Sequence, residues 1–85
     1  MISKYHKDFT KSYKKLPFQA KRKLKERLLL FEQDQFNPVL NNHHLKGKYV
    51  GYRSINITGD LRAIYRRDGQ NVIFVAIDIH SNLYG

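Results

Sequence analysis

Gly51-Tyr-Arg-Ser-Ile-Asn-Ile-Thr-Gly-Asp-Leu-Arg-Ala-Ile-Tyr65 reads as two short strands joined by a tight turn. Strand-like alternation brackets Gly59-Asp60, and a glycine in first place supplies the positive φ that a two-residue hairpin turn requires there. Polar groups crowd this turn. Arg53, Asn56, Asp60 and Arg62 fall on or beside it, and His43, His44, Asp78, His80 and Tyr84 flank the hairpin in sequence. Carboxylate, imidazole and guanidinium groups therefore belong to one small sheet.

Downstream, Asp68-Gly69 is a second hairpin signal, and Asn71 to Ile79 is the longest and most apolar strand, the expected centre of the core. If both dipeptides form two-residue turns, Asn56 lies opposite Ala63, Ile57 opposite Arg62, and Ala63 opposite Phe74. Asn56, Ala63, Phe74, Asp78 and His80 then share one face. Ile55, Ile57, Ile64, Ile73, Val75, Ile77 and Ile79 share the other, where helices should pack. Arg62 falls among the isoleucines in this register, unless a bulge or a longer turn shifts the parity.

Upstream, Ile2 to Tyr5 can form a short opening strand whose partner the sequence does not reveal. Tyr5, Phe9, Tyr13 and Leu16 then recur at helical spacing, with Lys7, Lys11, Lys14 and Lys15 mostly off that stripe. Pro17 breaks the pattern and opens a second helix, in which Ala20, Leu24, Leu28 and Phe31 repeat at the same spacing to about Gln35. Phe36-Asn37-Pro38 ends the helical region, because a residue before proline is pushed out of the α conformation. Asn41-Asn42-His43-His44 reads as loop, and Lys46-Gly47-Lys48 as a turn. The expected fold is α+β: a short N-terminal strand, then an antiparallel pair of helices packed on one face of a small, mainly antiparallel sheet.

At 85 residues the chain is expected to be one domain spanning 1–85, and 41% hydrophobic with 13% aromatic residues suffices for a core. The absence of cysteine removes disulfides and thiolate metal sites. No apolar run is long enough for a membrane span, and five lysines within Met1 to Leu16 leave no apolar signal region, so a cytoplasmic protein without membrane contact is expected. Charge is the strongest compositional fact. Sixteen Lys and Arg against seven Asp and Glu give +9, the electrostatic footprint of a protein that meets nucleic acid or ribosome, or failing that an acidic protein.

His80, at the end of the central strand, could exchange protons near neutral pH or be a surface imidazole. Asp60 beside Gly59 suits a turn as well as catalysis. Arg53 and Arg62 could clamp phosphate or pair with Asp60 and Asp78 as structural ion pairs. His43 and His44 are adjacent, so their side chains diverge, and without an acidic cluster they make a poor metal site. No P-loop, dinucleotide fingerprint or Gly-x-Ser-x-Gly elbow is present.

The order strand, helix, helix, three-stranded meander, with His43-His-Leu-Lys-Gly47, Gly51-Tyr-Arg, Gly59-Asp-Leu-Arg-Ala-Ile-Tyr65 and Ile79-His-Ser-Asn-Leu-Tyr-Gly85, resembles the RelE/ParE toxin superfamily, closest to its YafQ branch. The likeness covers nearly the whole chain and is specific from His43 onward. It implies a toxin of a type II toxin-antitoxin pair that cleaves mRNA in the ribosomal A site. It also implies a cognate antitoxin that silences the toxin, and operator DNA bound only as the toxin-antitoxin complex. His80 matches the catalytic histidine of the branch, His43 and Asp60 fall at further active-site positions, and Arg62 matches an arginine used in the RelE branch. Tyr84 falls where an aromatic lies near the substrate, and Arg53, Asn56 and Lys46 are expected to contact substrate. Asn56 replaces a histidine of the branch, and Leu61 a tryptophan.

The chemistry also stands on its own terms. RNA carries its nucleophile, the 2′-hydroxyl, so a ribonuclease can work without metal or cofactor, given a base, an acid for the leaving 5′-oxygen and cations for the phosphorane. His80 is the expected acid and Asp60 or His43 the base. Arg62 and Arg53 would supply charge, and Tyr84 would stack on a base. The competing readings are a ParE-like toxin that binds DNA gyrase without catalysis and a non-enzymatic basic RNA-binding protein. His80 with Tyr84 favours the nuclease, since gyrase inhibition needs neither.

Overall fold

The computed structural model describes residues 1–79; His80 and Tyr84 lie outside the described residues. Pro17 divides the helical layer as expected, but the first helix is shorter than its apolar stripe and the second stops just short of Gln35. Helix α1 runs Lys7–Lys14 and α2 runs Phe18–Gln33. His6 caps α1, its Nδ1 accepting from the Asp8 N–H at 3.1 Å, with Asp8 in the favourable first turn. Tyr5 is withdrawn from the helix. It ends strand β1, Ser3–Tyr5, and its ring stacks on Phe74 at 5.8 Å.

The sheet has five strands. After β1 come β2, His43–His44, β3, Arg53–Asn56, β4, Leu61–Asp68, and β5, Asn71–Ile79. Their spatial order is β1-β5-β4-β3-β2, with β1 parallel to β5 and the other neighbours antiparallel. The partner of the opening strand is therefore β5, the apolar strand expected at the centre, while β4 takes the middle of the sheet. His43 and His44, expected in a loop, form a short margin strand, because the backbone after Asn41 swings back against β3. Lys46-Gly47-Lys48 does make a turn, a 3₁₀ turn over Gly47–Tyr49.

Both hairpin turns differ from the dipeptide reading. Ile57 N–H and Thr58 N–H both donate to the Leu61 carbonyl, at 2.8 and 3.2 Å, so the first loop is Thr58-Gly59-Asp60. The Thr58 hydroxyl closes it, accepting from Asp60 N–H at 3.3 Å and Leu61 N–H at 3.1 Å. One extra loop residue flips the parity. Asn56 now lies opposite Arg62, and Ile55 opposite Ala63. The second turn is Gly69-Gln70, with Gly69 at φ 64°, which sets Asp68 opposite Asn71 and Tyr65 opposite Phe74. A register shift between Ile64 and Tyr65 then leaves one residue of β5 unmatched, so Ala63 faces Ile77 and Arg62 faces Asp78.

These shifts correct the face assignment. Ala63 and Phe74, expected on the polar face, are fully buried on the helix side with Ile55, Ile57, Leu61, Tyr65 and Val72, while Ile64 and Ile73 point the other way. Arg62 parts from the core isoleucines Ile55, Ile57 and Ile77 through the longer turn, one of the two escapes that the sequence allowed. Phe9, Leu24, Phe31 and Leu40 complete the core from the helical layer and the 3₁₀ turn Pro38–Leu40. Phe74 is its hub, with ring centroids 5.7 Å from Phe9, 5.4 Å from Phe31 and 5.3 Å from Tyr65.

Candidate active site

The face away from the helices carries His43, Ser54, Asn56, Arg62, Ile64 and Asp78, placed there by alternation along β2 to β5. Asn41, His43, Asn56, Gly59 and Arg62 line a cleft of about 250 Å³ on it. Three of the residues expected from the sequence, His43, Asn56 and Arg62, thus meet in one place. Asp60 follows the cleft residue Gly59 on the exposed loop, and Lys46 is exposed beyond β2. His80 and Tyr84 are the next part of the chain after β5, outside the described residues.

Arg53 goes elsewhere. It sits opposite Tyr65 and so faces the helical layer, where its Nε–H donates to Asn42 Oδ1 at 2.7 Å and its Nη1–H to His44 Nε2 at 2.8 Å. Its guanidinium lies 5.4 Å from the Phe36 ring centroid. Neither the phosphate clamp nor an acid pair describes this arginine here; it is a tie between loop and sheet. His43 and His44 diverge as adjacent strand residues must.

Arg62 does meet an acid, the partner the sequence named as an alternative: its Nη2–H donates to Asp78 Oδ2 at 3.0 Å, directly across the strands. The side chains are 17% and 26% exposed, so the pair is partly desolvated and holds the guanidinium at a fixed depth. Arg62 Nε is buried without a hydrogen-bond partner among the described residues. Replacing Asp78 with alanine is expected to cost about 1–3 kcal/mol, because it strands a partly buried cation. Chemical denaturation of Asp78→Ala beside an Asp78→Ala/Arg62→Met double variant checks this. The double variant should recover part of the loss.

His43 is the most informative group in the cleft. Its Nδ1 lies 2.8 Å from the Asn41 carbonyl oxygen. A carbonyl can only accept, so Nδ1 carries a proton, and in the neutral ring it is Nε2 that keeps the lone pair. Asn41 reaches this position through a left-handed backbone, φ 45°, which asparagine tolerates better than most residues. The sequence reading passed over Asn41 and Asn42 as loop. Two adjacent asparagines after Pro38 and Leu40, just before a histidine, were the available signal.

Comparison with known proteins agrees with this architecture. No curated protein matches the chain by sequence. Among solved structures, YafQ from E. coli strain BL21(DE3) superposes with TM-score 0.79 at 24% identity, covering 98% of this chain and 97% of that one. The E. coli DinJ-YafQ toxin-antitoxin complex matches with TM-score 0.76 at 25% identity, over 98% of this chain and 96% of that one. A YoeB/ParE toxin from Agrobacterium tumefaciens gives 0.77 at 20% identity, over 94% and 99%. The sequence-family description "Bacterial toxin of type II toxin-antitoxin system, YafQ" matches residues 1–85, the whole chain. With that match and the fold it accompanies, the chain belongs to the YafQ family of bacterial type II toxins.

Proposed function

We propose that this toxin is a ribosome-dependent endoribonuclease that cleaves mRNA in the A site, in the cytoplasm, without a metal or cofactor. The observation that carries the reading is His43, its Nδ1–H spent on a carbonyl and its Nε2 left as a base, beside Arg62 in one cleft. His43 Nε2 takes the proton of the 2′-hydroxyl, and the 2′-oxygen attacks phosphorus. The bond from phosphorus to the 5′-oxygen breaks, and His80 gives that oxygen its proton. The products are a 2′,3′-cyclic phosphate and a 5′-hydroxyl end. Arg62 neutralises the phosphorane, Asn56 and Lys46 hold the strand, and Tyr84 stacks on a base. Asp60, on its exposed loop, is the second candidate for the base.

Mapping 5′ ends after induced expression, on a translated and an untranslated copy of one mRNA, tests this reading. New ends confined to the translated copy are expected. Ends on both copies would remove the ribosome from the mechanism, and ends on neither would remove the nuclease.

The charge distribution supports a large polyanion as the platform. Ten of the sixteen Lys and Arg, but only Asp8 and Glu26 of the seven acids, lie between Lys4 and Arg27, on β1 and the helical layer. Each phosphate contact releases counterions, so ribosome binding is expected to weaken steeply as salt rises from low to physiological strength. A flat dependence would reduce the charge to a solubilising role.

The same excess calls for an acidic partner in the cell that makes the toxin, and E. coli YafQ is seen with DinJ. A cognate antitoxin should copurify when toxin and neighbouring gene are expressed together, and only that complex should bind operator DNA. Recovery of free toxin alone would count against it.

A further inference from the structure

We propose that Asn42 and Arg53 are positioning residues which lock His43 in the Nδ1–H tautomer and keep Nε2 available to the cleft. The inference rests on His43 as the base, and it concerns what makes that base possible. Strand β2 is two residues long and pairs with β3 alone, so strand pairing by itself is a weak anchor for a side chain that must be placed within fractions of an ångström. The anchoring comes from the residue before it. The Asn42 amide nitrogen donates to the Gln35 carbonyl at 3.0 Å and to the Tyr65 hydroxyl at 2.8 Å, while its Oδ1 accepts from Arg53 Nε at 2.7 Å.

One side chain thus joins the segment following α2, the buried centre of β4 and the start of β3. Tyr65 is fully buried against Phe31 and Phe74, so this anchor is tied to the aromatic centre of the core. Arg53 makes the second tie, through Nη1 to His44 Nε2 at 2.8 Å. The residues on both sides of His43 are therefore held on the helix side of the sheet, while His43 itself is turned to the opposite face. With Asn42 fixed, the Asn41 carbonyl is fixed too, and it meets His43 Nδ1 at 2.8 Å. Without that carbonyl nothing among the described residues selects a tautomer. The form with hydrogen on Nε2 then competes, and it cannot take a proton from a hydroxyl at that nitrogen.

The test uses the intact toxin with Asn42→Ala and, separately, Arg53→Lys, which keeps the charge but loses the Nε–H tie. Long-range proton–nitrogen NMR correlation reads the His43 tautomer directly and independently of catalysis. Wild-type protein should show Nδ1–H alone, and both variants a mixture. Single-turnover cleavage on programmed ribosomes should fall roughly tenfold to a hundredfold, the scale of a misplaced reacting group. Ribosome affinity should stay within about twofold, because it rests on many contacts elsewhere. A retained Nδ1–H tautomer in the variants overturns the proposal. A lost tautomer with an unchanged cleavage rate upholds the lock and overturns His43 as the base. Should Asn42→Ala fail to fold, Arg53→Lys is read by the same criteria. Full rescue by that lysine would make Arg53 a charge contact only.

Discussion

Replacing His43 with alanine is expected to slow single-turnover cleavage by roughly a hundredfold to ten-thousandfold, the usual worth of a positioned general base. The fold should be spared. His43 sits on a two-residue margin strand and is only partly buried, so its own packing contributes little, within about 0.5 kcal/mol for such a site. Its Nδ1 partner, the Asn41 carbonyl, borders the cleft and can be reached by water once the ring is gone. His80→Ala should give a loss of the same size, from the acid side of the reaction. Because base and acid act in one step, the double variant should be far less than multiplicative. Single-turnover rates, thermal unfolding and ribosome binding measured on one preparation of each variant separate the outcomes. A His43→Ala protein that cleaves at the normal rate sinks the assignment. If Asp60→Asn then shows the larger loss, the exposed loop carboxylate is the base.

Phe74→Ala is expected to have the largest effect on stability, about 3–5 kcal/mol, the range for removing a buried phenyl ring. Phe74 is fully buried and in ring contact with Tyr5, Phe9, Phe31 and Tyr65, so both helices, β1 and β4 lose a common partner. Domains of this size hold roughly 5–15 kcal/mol in total, and the thermal midpoint should fall by roughly 15 °C or more. Ile73→Ala is the matched control. It is half-buried on the other face, and about 1–2 kcal/mol is expected. The order of the two values reports the register. A larger loss at Ile73 would restore the parity of two plain hairpin turns and contradict the shifted pairing.

That parity is where the sequence ceased to be legible. The helical stripes, the break at Pro17 and the apolar strand from Asn71 to Ile79 are local patterns; the helices appear with their ends trimmed and the strand with the bounds expected. Alternation along a single strand was legible as well. What alternation cannot supply is the phase between strands, since one added residue exchanges the faces. The hydroxyl of Thr58 and the unmatched residue of β5 each shift that phase once, and the fates of Ala63, Phe74 and Arg62 follow. The candidate site was legible by residue type, because few groups in so basic a chain can move protons. It was not legible in its support. Asn42 acts through Gln35, Tyr65 and Arg53, contacts distant in sequence that no spacing rule connects, and Arg53 could be told from a phosphate clamp only by the face it takes.

The sheet ends, within the described residues, in two very short margins: β1 has three residues and β2 two. An open margin is a template on which another chain can add a strand, and length is what makes the template effective. Here β2 is too short to seed end-to-end stacking of copies, but β1 covers β5 only from Val72 to Phe74, so among the described residues the longest stretch without a neighbouring strand on one side is 75–79. A partner that adds a strand would find its backbone template there, while one that binds elsewhere must rely on faces and side chains, where selectivity can be encoded.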